Sequence, residues 1–329
     1  MSTKEQGYAH RISKPACFSN VWGGKKLYKY GKHAPTGDGE SRDGGKIGES
    51  WEISFVSGYE SYAGDKGLNE LFGKESWGKN AARFDTFPVL TKFIDAREKL
   101  SVQVHPSDSY ALANEGTYGK TEMWYIVEAE CGAGIYIGFK EGVTKDDIKN
   151  GIADGSIEKM LNFTPVKSGD VFFIPSGTVH AICGGVLIYE IQQNSTLTYR
   201  LYDYNRPDDS GKLRPLHVEK ALAVLNSEPY SPFVAKTDDG DACKRTIGSC
   251  EYFTAKEYVI DSPVTLLATA DSFLAFTVTK GRGVLNYTTE SGESCAEPLE
   301  AGDSFFIPAT ESPITHTVSG DLTLITVEI

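Results

Sequence analysis

The 329 residues are 40% hydrophobic and 24% charged, enough apolar surface for one large domain or two related ones to bury a core without disulfide staples. A formal net charge of −12 repels polyanions, which argues against nucleic acid or an anionic membrane as a partner and requires any bound phosphate to be gripped locally. No stretch reaches the roughly 20 apolar residues of a membrane span, the N-terminal MSTKEQGYAH lacks an apolar export core, and the six cysteines include no CxxC pair, so the chain reads as soluble, cytoplasmic and reduced.

In chain order, GESWEISFV (48–56) has the aromatic and β-branched composition of a strand, and a short helix is expected at Leu68 to Phe72. FPVLTKFIDAREKLSVQVHP then reads as two strands around the polar stretch Asp95 to Lys99, the second stopped by Pro106. Ser107 to Glu115 opens with Ser-Asp and ends before Gly116, which predicts a short helix. GKTEMWYIVEAECGAGIYIGF predicts two strands about a Gly-containing turn, and Thr144 to Leu161 one or two short helices interrupted by Gly151 and Gly155. Strands resume in VKSGDVFFIPSGTVHAI and GGVLIYEIQQNSTLTYRLYDY. The best helical pattern is Arg214 to Leu225, and Asn226 to Asp241, with Pro229 and Pro232, reads as a linker.

Beyond that linker a phrase repeats. Gly169-Asp170-Val171-Phe172-Phe173-Ile174-Pro175 recurs as Gly302-Asp303-Ser304-Phe305-Phe306-Ile307-Pro308, six identities in seven positions. The expectation is an all-β-dominated chain of two tandem, related barrels with a few short helices, divided into residues 1–235 and 236–329.

In LSVQVHP, Gln103 and His105 stand two apart on a strand and share a face. Lys120 and Glu122 have the same relation in GKTEMW, and His180 follows a Gly turn in PSGTVHA. Two imidazoles and a carboxylate from three strands form a ligand set that leaves a coordination position open, as a catalytic zinc site requires, with Gln103 as a weaker fourth donor. The same set also suits iron in an oxygenase. Aligning the two repeats by sequence alone puts Pro313 opposite His180, so the second barrel is expected to hold no metal.

The segments VWGG (21–24), GESWEIS (48–54), KLSVQVHPSD (99–108), GKTEMWYI (119–126), GDVFFIPSGTVHA (169–181) and the run from Glu190 to Arg200 resemble the class I mannose-6-phosphate isomerases, most closely the shorter bacterial type. The resemblance covers essentially the whole chain. It implies tandem cupin barrels, one Zn²⁺ per chain on His105, Glu122 and His180 with Gln103 less certain, and reversible isomerisation of mannose 6-phosphate and fructose 6-phosphate through a cis-enediolate. By motif, Arg200 matches the family's catalytic arginine, and Lys120 and Glu190 match pocket residues. Lys120, Glu190 and a zinc-bound hydroxide are the alternatives for the base. Trp22, beside two glycines, is expected to line the sugar pocket with Arg200 and Lys120, whereas Trp124 is expected to pack. Arg206, Lys92 and Arg11 are further candidates for the phosphate. Two positions depart from the longer relatives: Gly119 stands for a histidine and Thr196 for an acidic residue. The expected partner is a small sugar phosphate, and the expected assembly a monomer or weak homodimer. A sugar-phosphate sensor without turnover is the alternative outside enzymology.

Overall fold

The computed structural model describes residues 8–34, 44–208, 210–237, 243–289 and 291–329. Part of the N-terminal segment read above (residues 1–7) and the end of the expected linker (238–241) lie outside the described residues.

Two sheets repeat one strand order. In the first it is Val171–Ile174, Glu122–Ala129, Val186–Gln193, Val89–Ala96, Glu49–Ile53, Ala16–Phe18. In the second it is Ser304–Ile307, Leu274–Thr288, His316–Glu328, Thr254–Ile260, Lys244–Ser249, Lys236–Thr237. All pairings are antiparallel. The repeated GDxFFIP phrase thus marks one of two equivalent strands in tandem cupin barrels. A five-stranded sheet, running through Gly134–Phe139, His180–Ile182, Val102–Val104 and Tyr199–Tyr202, closes the first barrel. In the second barrel the long strands Leu274–Thr288 and His316–Glu328 serve both walls, and the strand His10–Arg11 from the N-terminal end pairs with Ser304–Ile307.

The helices follow their capping chemistry. Lys145–Asp154 starts at Thr144, whose side chain and that of Asp147 cap each other's backbone, and ends at Gly155 in the left-handed region, φ 77°. The helix expected over 214–225 is confined to Val218–Val224. Residues ahead of it are pinned to a strand instead: the His217 N–H donates to the Arg200 carbonyl at 2.7 Å, and the Arg200 N–H to His217 Nδ1 at 3.2 Å. Among the described residues no helix is long and apolar enough to cross a membrane.

Pleating gives each sheet two faces, and in the first sheet both are buried. One looks into its own barrel, where Ile94, Trp124, Ile126, Ile174 and Ile188 form a core. The opposite face carries Phe93, Met123, Tyr125, Tyr189 and Ile191, packed against Phe273, Ala275, Phe306, Ile325 and Val327 of the second barrel. The barrels therefore stand back to back on one shared core. Phe306, fully buried, lies 4.9–5.8 Å ring to ring from Phe55, Phe72, Phe87 and Phe273. Phe306→Ala is expected to cost about 3–5 kcal/mol, read as a lower urea midpoint. Because the core is common, intrinsic fluorescence and far-UV dichroism should report one coincident transition for both barrels.

Candidate metal centre and its cleft

His105 directly follows the strand Val102–Val104, Glu122 opens Glu122–Ala129 and His180 opens His180–Ile182. The fold brings them together as expected: their candidate ligand atoms lie within 4.8 Å of one another, and all three residues are buried. His105 Nδ1 faces the Leu197 carbonyl at 2.8 Å and His180 Nδ1 the Thr178 carbonyl at 2.9 Å. Each carbonyl accepts the Nδ1 proton, which leaves both Nε2 lone pairs for the centre. They sit 3.5 and 3.3 Å from the two oxygens of Glu122, whose Oε1 has no hydrogen-bond partner. Two neutral imidazoles and an under-satisfied carboxylate are the donor set of a divalent cation. Gln103 is adjacent but presents its amide nitrogen to His180 Nε2 at 3.3 Å, with Oε1 toward Ser101; a ligand role requires that amide to turn over.

Beside the centre opens a cleft of about 210 Å³ lined by Trp22, Gln103, Lys120, Glu190 and Arg200, together with Asn20, Glu49, Lys92 and Arg214. Five charges of alternating sign cross its floor. Lys120 Nζ lies 2.6 Å from Glu122 and 3.4 Å from Glu190; Lys92 Nζ lies 3.8 Å from Glu190 and 3.3 Å from Glu49. Burial, then the nearby Glu122, raises the Glu190 carboxyl above the ordinary carboxylate range, with Lys120 and Lys92 opposing. Burial also disfavours the Lys120 ammonium, yet Glu122 and Glu190 outweigh it and hold this lysine protonated. Glu49 is likewise raised by burial, but Lys92 and the Trp51 N–H prevail and keep it ionised. Trp124 packs as expected: it is fully buried, edge-on to the His180 ring, and its Nε1–H donates to Glu190 at 3.1 Å.

Trp22 reaches the cleft because two motifs interlock. A Cβ on Gly23 would stand 2.6 Å from the backbone nitrogen of Gly48, and one on Gly48 would stand 2.5 Å from Asn20. VWGG and GESWEIS therefore pack directly on each other, setting Trp22 and Glu49 at one rim. The absence of a histidine at Gly119 has a similar cause: a Cβ there would meet the Pro106 carbonyl oxygen at 2.5 Å and the Asp108 nitrogen at 2.6 Å. Thr196 is exposed.

The candidate cations divide. Arg200 donates from Nη1 to the Pro215 carbonyl at 2.9 Å, and its buried Nε–H has no partner. Arg214 lines the cleft too, braced by Asp203 through two bonds of 2.7 and 2.5 Å. Arg206 is spent on Asp203 and the Lys99 carbonyl. Arg11 belongs to the other barrel, paired with Asp303 at 2.6 Å and Glu297 at 3.3 Å. Glu49, Asn20 and Arg214 are among the cleft residues that reading the sequence missed.

Strand register also revises the second barrel. His316 pairs with Leu266 as His180 pairs with Gln103, and Leu274 pairs with Ile307 as Glu122 pairs with Ile174. His316, not Pro313, is thus the counterpart of His180; the loop before it runs over 308–315 rather than 175–179. Leu266, Leu274 and Ala268 occupy the places of Gln103, Glu122 and His105.

A family model described as the mannose-6-phosphate isomerase cupin domain matches residues 244–329. The chain is 36% identical over 312 residues to a mannose-6-phosphate isomerase of Streptococcus mutans, covering 93% of each. It is 36% identical over 303 residues to mannose-6-phosphate isomerase ManA of Bacillus subtilis, covering 90% of this chain and 91% of the relative. The crystal structure of the Bacillus subtilis mannose 6-phosphate isomerase superposes with a TM-score of 0.86 at 33% identity, over 98% of this chain and all of the other.

Burial drives the pKa of His105 well below its ordinary value and that of His180 to about 4. Both imidazoles stay neutral in the folded protein while the unfolded chain takes up protons below about 6.5. Their contribution to stability is therefore complete above pH 6.5 and lost as pH falls toward 4. His316, depressed to about 4 by burial, adds to the same loss. Urea midpoints of metal-free protein should fall across that window, and His180→Asn should flatten the fall without abolishing it.

Proposed function

The chain belongs to the mannose-6-phosphate isomerases, aldose-ketose isomerases by name and chemistry, and on that footing we propose that it interconverts mannose 6-phosphate and fructose 6-phosphate with a zinc ion held by His105, Glu122 and His180. The observation that carries this reading is the meeting of that buried ligand set with Lys120, Glu190 and Arg200 around one cleft. Nitrogen, nitrogen and carboxylate donors suit zinc and leave room for substrate.

When bound, the ion supplies Lewis-acid stabilisation of negative charge on the sugar oxygens. Proton transfer between C2 and C1 falls to Glu190. Its carboxyl is buried, lines the cleft, has an oxygen without a hydrogen-bond donor and is held by Trp124; its raised pKa brings it nearer working pH, as a general base requires. Lys120, kept as an ammonium by two carboxylates, serves as the fixed cation beside the oxygen that becomes an enediolate. The phosphate is gripped at the other end by Arg200, through its free donors, and by Arg214 on its Asp203 brace. Trp22 offers the apolar side of the hexose an indole face.

The division of labour near residue 235 is part of the same proposal: the first barrel bears the chemistry, and the second, with leucine and alanine at three of four ligand positions, holds no metal. The protein acts in the cytoplasm on a small sugar phosphate.

A coupled assay on mannose 6-phosphate, with chelator, with zinc or iron refilling, and on His180→Ala, tests this directly. Turnover abolished by chelator and by His180→Ala, and restored by zinc, is expected. Metal binding without turnover indicates a sensor, and activity restored by iron but not by zinc contradicts the zinc assignment. Glu190→Gln should lower kcat about 10³-fold, and the acid limb of the wild-type profile should lie above pH 4.5, because the base is lost as pH falls through its raised pKa. Arg214→Leu should raise KM for the sugar phosphate at least about tenfold.

A further inference from the structure

The cleft residues sit on alternate positions of three neighbouring strands, and the positions between them face the second barrel. Glu49 alternates with Ser50 and Glu52, Lys92 with Thr91 and Phe93, and Glu190 with Tyr189 and Ile191. Within the largely apolar contact, apart from the Tyr125 hydroxyl that donates to Glu257 at 2.7 Å, a buried polar chain runs through that interface. Lys32 Nζ donates to Glu52 Oε2 and to the Gly302 carbonyl, each at 2.7 Å. Ser50 Oγ donates to Glu52 Oε1 at 2.6 Å and Ser304 Oγ to Oε2 at 2.9 Å. Ser304 and Thr277 hydroxyls lie 2.8 Å apart, and Tyr189 donates its hydroxyl to Thr277 Oγ1 at 2.8 Å.

Each hydroxyl has one proton, so the carboxylate fixes the direction of the whole chain. Ser304 commits its proton to Glu52, so Thr277 must donate to Ser304 and Tyr189 to Thr277. Thr91 is also within hydrogen-bond reach of Tyr189, and its Oγ1 accepts the Ile53 N–H at 3.2 Å. Glu52, Thr277 and Ser304 are essentially inaccessible to solvent, with Tyr189 1% exposed. Thr91 is the alternative partner for Tyr189; for Ser304 and Thr277 a lost link leaves a buried hydroxyl short of a partner, with its desolvation penalty.

We propose that Lys32–Glu52–Ser304–Thr277–Tyr189 is a positioning device, two of whose links, Ser304 and Thr277, come from the second barrel, and that it sets the register and depth of the strands bearing Glu49, Lys92 and Glu190. The metal-free barrel is thereby a template for the catalytic sheet. Tyr189 lies on the central strand, which also pairs Gln192 with Glu122, so the device reaches the ligand set as well. The kinetic part of this inference rests on the isomerase reading above; the metal part does not.

The test contrasts Thr277→Val, which keeps the volume and removes the hydroxyl, with Thr277→Ser, which does the reverse. Zinc affinity is measured by competition with a chromophoric chelator, and kcat and KM by the coupled assay. The Val variant is expected to bind zinc about tenfold more weakly and to lose about tenfold in kcat with KM within twofold, while the Ser variant stays near wild type in both. Ser304→Ala cuts the same chain one link further on and should reproduce the Val result, which covers the case of Thr277→Val failing to fold. Equal zinc affinity in the Val variant and wild type, or equal damage in the Ser and Val variants, overturns the proposal. A wild-type protein that binds zinc without turnover sinks the isomerase reading, and the zinc measurement still decides this one.

Discussion

The pleat of a single sheet governs this molecule. Because successive side chains leave a strand on opposite faces, the strands Glu49–Ile53, Val89–Ala96, Glu122–Ala129 and Val186–Gln193 carry the cleft charges on one side and, Glu52 and its partners apart, mainly apolar packing on the other. Buried charges are tolerable only when each has a partner in place, and here each does: Glu49, Lys92, Glu190, Lys120 and Glu122 alternate in sign along the floor of the cleft. A one-residue slip of any strand would turn its charges into the shared core and its aromatics into the cleft. Chemistry and stability are thus written on the same backbone, one residue apart.

The second barrel keeps the strand order of the first but not its ligands. His316 is the exception: its place in the register matches His180, and it is fully buried. With Leu266, Ala268 and Leu274 around it, the barrel interior has become an apolar core. What it offers the first barrel is its outer face.

Local patterns made the strands, the helix limits around Leu68 and Ser107, and the triad legible, since QxH and KxE spacing fixes which residues share a face before any fold is known. Residues whose meaning depends on long-range pairing were not legible in that way. Glu49 becomes a cleft residue only because Trp51 pairs with Lys92 across strands. Arg214 was hidden inside an expected helix, and only the tether between His217 and Arg200 draws it out as extended chain. Counting from the repeated phrase matches Pro313 to His180, which a longer loop defeats; register does not count loop residues. Glu122 and Glu190 are visible in the sequence, but their closeness to Lys120 and the opposite effects of burial and charge on Lys120 and Glu190 are not.

One coordination sphere, that of His105, Glu122 and His180, underlies the proposed chemistry. Zinc K-edge absorption on protein refilled with one equivalent of metal should show a low-coordinate site with two imidazole nitrogens and carboxylate oxygen at about 2.0–2.2 Å, and His105→Ala should remove one imidazole from the spectrum. A sulfur-rich or all-oxygen shell, or a spectrum unchanged by that substitution, would place the metal elsewhere and contradict it.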